Sequence, residues 1–290
     1  MRFTYAEAMT DPAFYAPLAQ AAEDAGYHAF LVPDSVAYPE VSDSRYPFTP
    51  DGSREFLEDK PFLEPFALIS ALAMVTERIR FTISVLKLPI RHPLHTAKLA
   101  STAAVLSNNR LTLGVGVSPW IEDYELTGTP WQGRGRRMDE CIDMVSELLD
   151  GGFHEFHGDA FDMPSAKICP VPTERVPILA GGHSEAALHR AARLDGWIHG
   201  GGDDDLDALV RRVLELRSDS DRSGEPFQVQ VITAEGFTVD GVRRLEEIGV
   251  TDVIVGFRWP YMTGPDTEPL HTKVDALRRF ADTVLTSCSA

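Results

Sequence analysis

Apolar residues alternate between two periods along the chain. Short β-like runs recur at about 2–8 (RFTYAEA), 28–33 (HAFLVP), 79–88 (IRFTISVLKL), 111–117 (LTLGVGV), 177–180 (PILA), 196–199 (GWIH), 227–236 (FQVQVITAEG) and 252–257 (DVIVGF). Between them, stretches with apolar positions three and four apart predict amphipathic helices over 13–25, 62–76, 94–107, 134–150, 184–194, 204–217, 238–248 and 271–285. Ser184 with Glu185 is a helix start, and Gly26, Gly151 and Gly249 stand where helices close. Eight βα units in series specify an α/β protein whose parallel sheet is covered by helices. At 290 residues the expected closed form is a (β/α)8 TIM barrel, a single domain over 1–290 with inserted loops. A doubly wound open sheet is the alternative. The inserted segments are 35–61, rich in Pro, Asp and Ser, and 152–176.

Composition narrows the function classes. A hydrophobic content of 43% and a charged content of 24% allow a sizeable core and argue against disorder. The net charge of −17 disfavours nucleic acid and anionic membranes as partners. No apolar run reaches the roughly 18 residues of a membrane span. With Met1-Arg2 leading directly into a strand, a cytoplasmic location is expected. Cys141, Cys169 and Cys288 are too few and scattered for a disulfide framework or a zinc site, and read as non-catalytic.

In a barrel, chemistry belongs where the strands end at their C-termini. Those ends bring Glu7, Asp34, Ser35, Ser84 to Lys87, Ser118, Gly181 to His183, His199 to Gly202, Glu235, Arg258 and Trp259 to one rim. No His or Cys pair has metal-ligand spacing, no GxSxG elbow is present, and Gly114-Val115-Gly116 is only a fragment of a dinucleotide fingerprint. Two glycine clusters, Gly181-Gly182 before Ser184 and Gly200-Gly201-Gly202 before Asp203, end neighbouring strands and open helices. Side by side they would form an anion cradle of backbone N–H groups, which needs no lysine; close helix packing is the other reading. His92 and Lys98 read as helix-start residues, and Arg134, Arg136 and Arg137 as partners of nearby carboxylates. His28 falls at the wrong end of the barrel. Trp120, Trp131 and Trp259 are either pocket walls or core.

AAEDAGYHAFLVPDS (21–35), VTERIRFTISVLKLPIRHPLHTAKLASTAAVLSNNRLTLGVGV (75–117), RGRRMDECIDMVSELLDG (134–151) and PILAGGHSEAALHRAARLDGWIHGGG (177–202) together resemble the bacterial luciferase-like superfamily of flavin- or deazaflavin-dependent oxidoreductases. The resemblance implies a (β/α)8 barrel binding coenzyme F420 or FMN at its C-terminal face, a small-molecule substrate and a homodimer. It also implies that Gly181, Gly182, His183, Gly200 and Gly201 hold the cofactor phosphate, that Asp34 and Ser35 lie beside the ring, and that Ser84-Val85 forms a bulge with a non-proline cis peptide behind it. Many deazaflavin-dependent members carry histidine where this chain has Ser35, and a serine hydroxyl is a poor acid or base at neutral pH. Proton transfer then falls to His199, Glu7, Glu235 or His183, or is not needed.

The chain has 22 Arg and only 5 Lys, a bias that fits the GC-rich actinobacteria in which deazaflavin enzymes are common. Arg45, Arg54, Lys60 and Lys87 are available for the polyglutamate tail of F420. The expected function is F420-dependent hydride transfer. The alternatives are an FMNH2-dependent monooxygenase, a non-catalytic flavin- or ligand-binding barrel favoured by Ser35, and a sugar-phosphate enzyme, which predicts no bulge at Ser84-Val85. Substrate choice falls to loops 35–61, 120–133 and 258–270, which carry no decipherable motif.

Overall fold

In the computed structural model, residues 1–46, 49, 51–202 and 205–288 are described. Eight parallel strands close into a barrel in the order β1 (Arg2–Ala6), β10 (Asp252–Val255), β9 (Gln228–Val231), β8 (Gly196–Ile198), β7 (Ile178–Gly181), β4 (Leu111–Gly116), β3 (Arg80–Lys87), β2 (Ala29–Val32) and back to β1. The barrel is thus the closed form, not the open sheet. Helices α1 (Tyr15–Asp24), α2 (Pro65–Ala73), α3 (Pro93–Leu106), α5 (Arg134–Asp150), α6 (Glu185–Ala192), α7 (Leu206–Ser218), α8 (Val239–Glu247) and α9 (Leu270–Phe280) follow the strands, with a short α4 (Ile121–Leu126) in the loop after β4.

Strands buried on both faces explain the continuous apolar runs. Phe30 and Val32 of β2 join Leu18, Ile69 and Leu72 in the core between strands and helices. Leu31, between them, belongs to a small inner cluster with Leu179, Ile198 and Ile254, against which Ala6 and Val85 pack. That inner layer is drawn from both flanks of the barrel. Each such fully buried side chain contributes about 1.5–3 kcal/mol.

Several boundaries differ from the periodicity. The run 227–236 stops being strand at Val231, because the Thr233 side chain caps a 3-10 turn at Ala234–Phe237. The last helix ends as α-helix at Phe280 and continues as a π-helical turn, Ala281–Leu285. Asp203, read as a helix start, lies outside the described residues, and the helix is capped by Asp205. The segment 152–176 folds as an antiparallel hairpin, β5 (His154–His157) with β6 (Asp162–Ala166). Glu140 of α5 anchors it by accepting from the Asp159, Ala160 and Phe161 amides. Of the three arginines expected to pair with carboxylates, only Arg136 does so among the described residues, with Asp159. Arg134 lies over the Trp131 ring at 3.6 Å, and Arg137 lies over Phe161 and donates to the Pro89 carbonyl. His92 caps α3, and Lys98 donates to the Cys169 carbonyl. Cys141 is buried, which pushes its thiol up to about 12. No helix among the described residues is long and apolar enough to cross a membrane.

Candidate active site at the C-terminal mouth of the barrel

Strand β3 breaks register against β4 between Ile83 and Leu86, and the Ser84-Val85 peptide bond is cis. The bulge sends the Ile83 carbonyl and the Val85 side chain toward the neighbouring strands, where only glycine leaves room. A Cβ on Gly114 would lie 2.2 Å from the Ile83 oxygen. A Cβ on Gly116 would lie 2.7 Å from Val85 Cγ2, and one on Gly181 2.8 Å from Val85 Cγ1. The Gly-Val-Gly of β4 is therefore the complement of the bulge and not part of a dinucleotide fingerprint. Val85, half-buried on the inner cluster, forms an apolar floor at the mouth.

Beside that floor the two glycine loops run together, because Gly181 of β7 pairs with Ile198 of β8. Gly182, Gly201 and Gly202 have φ of +118°, +87° and +103°, a left-handed backbone that glycine adopts at little cost. The Ser184 side chain caps α6. His183 and His199 stack with centroids 4.5 Å apart and planes 9° from parallel, and both abut Trp197. His183 Nε2 accepts from the Gly200 amide at 3.3 Å, and His199 Nδ1 accepts from the Gly201 amide at 3.4 Å. Both bonds are long, so an anionic oxygen is a stronger acceptor for the same amides. Among the described residues, nothing lies within 4 Å of where a Gly201 Cβ would be. These residues fit a phosphate.

Charged groups surround the floor in pairs. Asp34 accepts from the Lys87 amide at 2.9 Å and from Arg91 Nη2 at 2.7 Å. Lys87 Nζ is 2.7 Å from Asp123, whose other contact is the Ser118 hydroxyl. Glu7, 4% exposed at the end of β1, accepts from the Tyr5 hydroxyl at 3.0 Å and from Lys273 Nζ at 2.9 Å, with Arg258 Nε at 3.5 Å. Lys273, 2% exposed on α9, also meets Asp266 at 2.8 Å and Glu268 at 3.2 Å. Burial alone lowers an ammonium pKa, but hydrogen bonds to Asp266 and Glu7, with their charges, raise that of Lys273 above its ordinary value. The same pairing holds Asp266 below the usual carboxylate range against its own burial.

The other predicted site residues separate. Glu235 is engaged by both Nε and Nη2 of Arg244, which also binds Asp207, so its carboxylate faces α7 and α8 rather than the mouth. Ser35 is partly exposed beside Asp34. All four basic residues offered for a cofactor tail are engaged internally: Arg45 with the Asp51 carbonyl, Lys60 with the Gly264 carbonyl, Lys87 with Asp123, and Arg54 with Ser42 and Glu122. Lys273 and Arg91 were missed, since nothing in local spacing links them to Glu7 and Asp34. Among the described residues, no group of three or more His, Cys, Asp or Glu is arranged to hold a metal ion.

The loops after β2, β4 and β10 meet over this floor. Tyr46 contacts Phe56, Trp120 and Tyr261, and Tyr261 contacts Phe56 and Trp259, all at centroid separations of 5.0–5.9 Å. Trp120 is thus a buried wall, Trp259 is 63% exposed, and Trp131 packs away from this cluster against Tyr124.

The closed barrel and the bulge at Ser84-Val85 are features the resemblance implied, and comparison with known proteins identifies the family. The luciferase-like monooxygenase profile matches residues 3–255. The chain belongs to that family. The match continues past residue 202, where the recognisable motifs end, to the last barrel strand. An uncharacterized protein of Mycobacterium tuberculosis is 59% identical over 286 residues, covering 98% of this chain and 99% of the relative. Among solved structures, the monooxygenase RslO1 from Streptomyces bottropensis aligns with a TM-score of 0.78 at 17% identity over 99% of both chains. The coenzyme F420-dependent tetrahydromethanopterin reductase from Methanopyrus kandleri aligns at 0.74 and 16% identity over 98% of both. This luciferase-like protein thus shares its barrel with a monooxygenase and with a coenzyme F420-dependent reductase.

Proposed function

We propose that this luciferase-like protein is a coenzyme F420-dependent oxidoreductase acting on a small organic substrate at the C-terminal mouth, within one barrel domain and in the cytoplasm. The observation that carries the reading is the Val85 floor, seated between Gly116 and Gly181 and flanked by the open glycine loops. A planar ring fits an apolar floor, and a phosphate fits amides in a left-handed turn. F420, when bound, supplies a ring carbon that gives or takes hydride. The chain's residues do the rest. Gly181, Gly182, Gly200 and Gly201, with His183, hold the phosphate, and Ser84 and Val85 back the ring. Asp34, fixed by Arg91, and Ser35 border it. Glu7, fixed by Lys273 and Tyr5, and His199, buried behind the Gly201 turn, are the groups placed to hold or accept a proton. Glu235 has no part in this reading, because Arg244 occupies it.

The engagement of Arg45, Arg54, Lys60 and Lys87 favours a second reading, an FMNH2-dependent monooxygenase, since FMN has no polyglutamate tail to neutralise. Against it stands the Arg-rich composition. The bulge counts against a sugar-phosphate enzyme. Titrating the protein with F420, reduced F420, FMN and reduced FMN, followed by tryptophan fluorescence, separates the readings. Preferential binding of the deazaflavin is expected; preference for reduced FMN would select the monooxygenase, and binding of none would overturn both. Turnover of any reduced cofactor removes the non-catalytic alternative. A homodimer belongs to the same proposal, supported by exposed Met74, Leu99, Val105 and Leu106 on or next to the adjoining helices α2 and α3. Sedimentation equilibrium giving a monomer at micromolar concentration would remove it.

A further inference from the structure

The barrel has a second opening at the end opposite the mouth. Strands β1, β2 and β3 begin there, next to the end of α1 and the π-helical turn Ala281–Leu285. An open cleft of about 380 Å³ lies among them, a volume within the range of small-molecule sites. Phe3, Tyr27, Ile79 and Leu285, all buried residues, give it an apolar base. Its charged and polar side chains are Arg2, Glu23, His28 and Arg78. His28, at the wrong end of the barrel for the chemistry of the mouth, thus faces a cavity of its own.

Donors outnumber acceptors around this cleft. Glu23 is taken up by the amides of Glu77, Arg78 and Ile79, and Asp252, behind Arg2, accepts through Oδ2 from Arg2 and Thr251. Arg2 spends only Nη2 on Asp252 and Thr251, so its Nε and Nη1 have no hydrogen-bond partner among the described residues. Arg78 is largely exposed and comes no nearer to Glu23 than 4.0 Å. The half-buried His28 ring makes no hydrogen bond among the described residues. Burial lowers its pKa, the Arg2 charge lowers it further, and the opposing pull of Asp252 is met by Arg80. The neutral imidazole therefore sits in a positive local field, within a chain of net charge −17.

Charge and lining together select the ligand. Two guanidiniums and one carboxylate line the cleft, which suits a single negative charge, and the apolar base suits an organic body rather than a bare ion. We propose that this cleft binds a small organic monocarboxylate, its charge on Arg2, Arg78 and the His28 ring and its body against Phe3, Tyr27 and Ile79. The site is separate from the mouth, since β1, β2 and β3 run their whole length between it and Glu7, Asp34 and the Val85 bulge.

Benzoate and benzamide, an anion and a neutral molecule of the same shape, test this in ligand-observed NMR titrations and thermal unfolding of the whole chain. Benzoate is expected to bind at least about tenfold more tightly than benzamide. It is also expected to raise the Tm, because it binds the folded chain alone. Arg78→Gln, at an exposed position, and His28→Leu, which keeps bulk but removes the N–H, are each expected to weaken benzoate several-fold. Arg2→Gln is expected to weaken it more, but it also unpairs the buried Asp252, so the other two variants carry the test. No benzoate binding at about 10 mM, equal affinity for benzamide, or benzoate affinity indifferent to Arg78→Gln and His28→Leu would overturn the proposal. The cleft does not depend on the oxidoreductase reading. Benzoate held through Arg78 and His28 by a chain that binds neither F420 nor FMN would keep this site and remove that reading.

Discussion

Val85 and the three glycines around it form one unit, and none makes sense without the others. A methyl group on Gly181 would come within 2.8 Å of Val85 Cγ1, well inside van der Waals contact. Gly181→Ala is therefore expected to displace Val85, cost about 1–3 kcal/mol of stability and weaken cofactor binding. Adding Val85→Ala frees the space, so the double variant is expected to recover most of the stability but not the cofactor affinity, because the floor is gone. Urea midpoints and cofactor titrations on the three proteins check this; additive stability losses would show that the two sites do not share a contact. At this scale the glycines were visible in the sequence, but their reason was not. The Gly-Val-Gly of β4 has the spacing of a phosphate motif, and only the neighbouring bulge shows that it serves packing.

Elements are held in place by carboxylates reaching across the chain. Glu23 stands at the C-terminal end of α1, unfavourable for a negative charge beside the helix dipole. Its oxygens nevertheless accept from the amides of Glu77, Arg78 and Ile79, fixing the turn into β3. Burial works to raise its pKa, but those three amides and the Arg78 charge outweigh it, so the folded value lies below the ordinary one. A depressed carboxylate stabilises the fold above its unfolded pKa, and the contribution is lost as pH falls below about 4. Glu23→Gln is expected to cost about 1–2 kcal/mol at pH 7 and distinctly less at pH 3, read from urea denaturation at both. An equal cost at both pH values would contradict the assignment. Order and type of the barrel elements were legible because strands buried on both faces and one-sided helices leave different periods. β9 was overextended because Ile232 continues its apolar run, and the Thr233 cap that ends the strand is a side-chain hydrogen bond with no periodic trace.

On the scale of the whole molecule, the first and last barrel units are joined by charge. Glu7, just after β1, and Lys273 on α9 are 266 residues apart, and Asp266 and Glu268 bring the loop after β10 into the same network. Lys273→Met would leave the buried Glu7 and Asp266 with Arg258 Nε, 3.5 Å from each, as their shared cation, with an expected loss of about 3 kcal/mol. Thermal unfolding checks this, and a change under 1 kcal/mol would show the network to be dispensable. Such pairings escape a reading of one chain because residues so far apart carry no mutual spacing. The rim was predictable from strand ends alone, yet its partners Lys273, Arg91 and Arg244 come from helices and loops. They distinguish Glu7 and Asp34, held at the mouth, from Glu235, held outside it.

The central claim is that the bulged floor and the glycine loops together hold a phosphorylated tricyclic cofactor. A crystal structure of the protein soaked with F420 tests it most directly. The account predicts the ring against Val85 and the phosphate on the amides of Gly181, Gly182, Gly200 and Gly201. A ring bound elsewhere, or a phosphate that leaves these amides on His183 and His199, would contradict it.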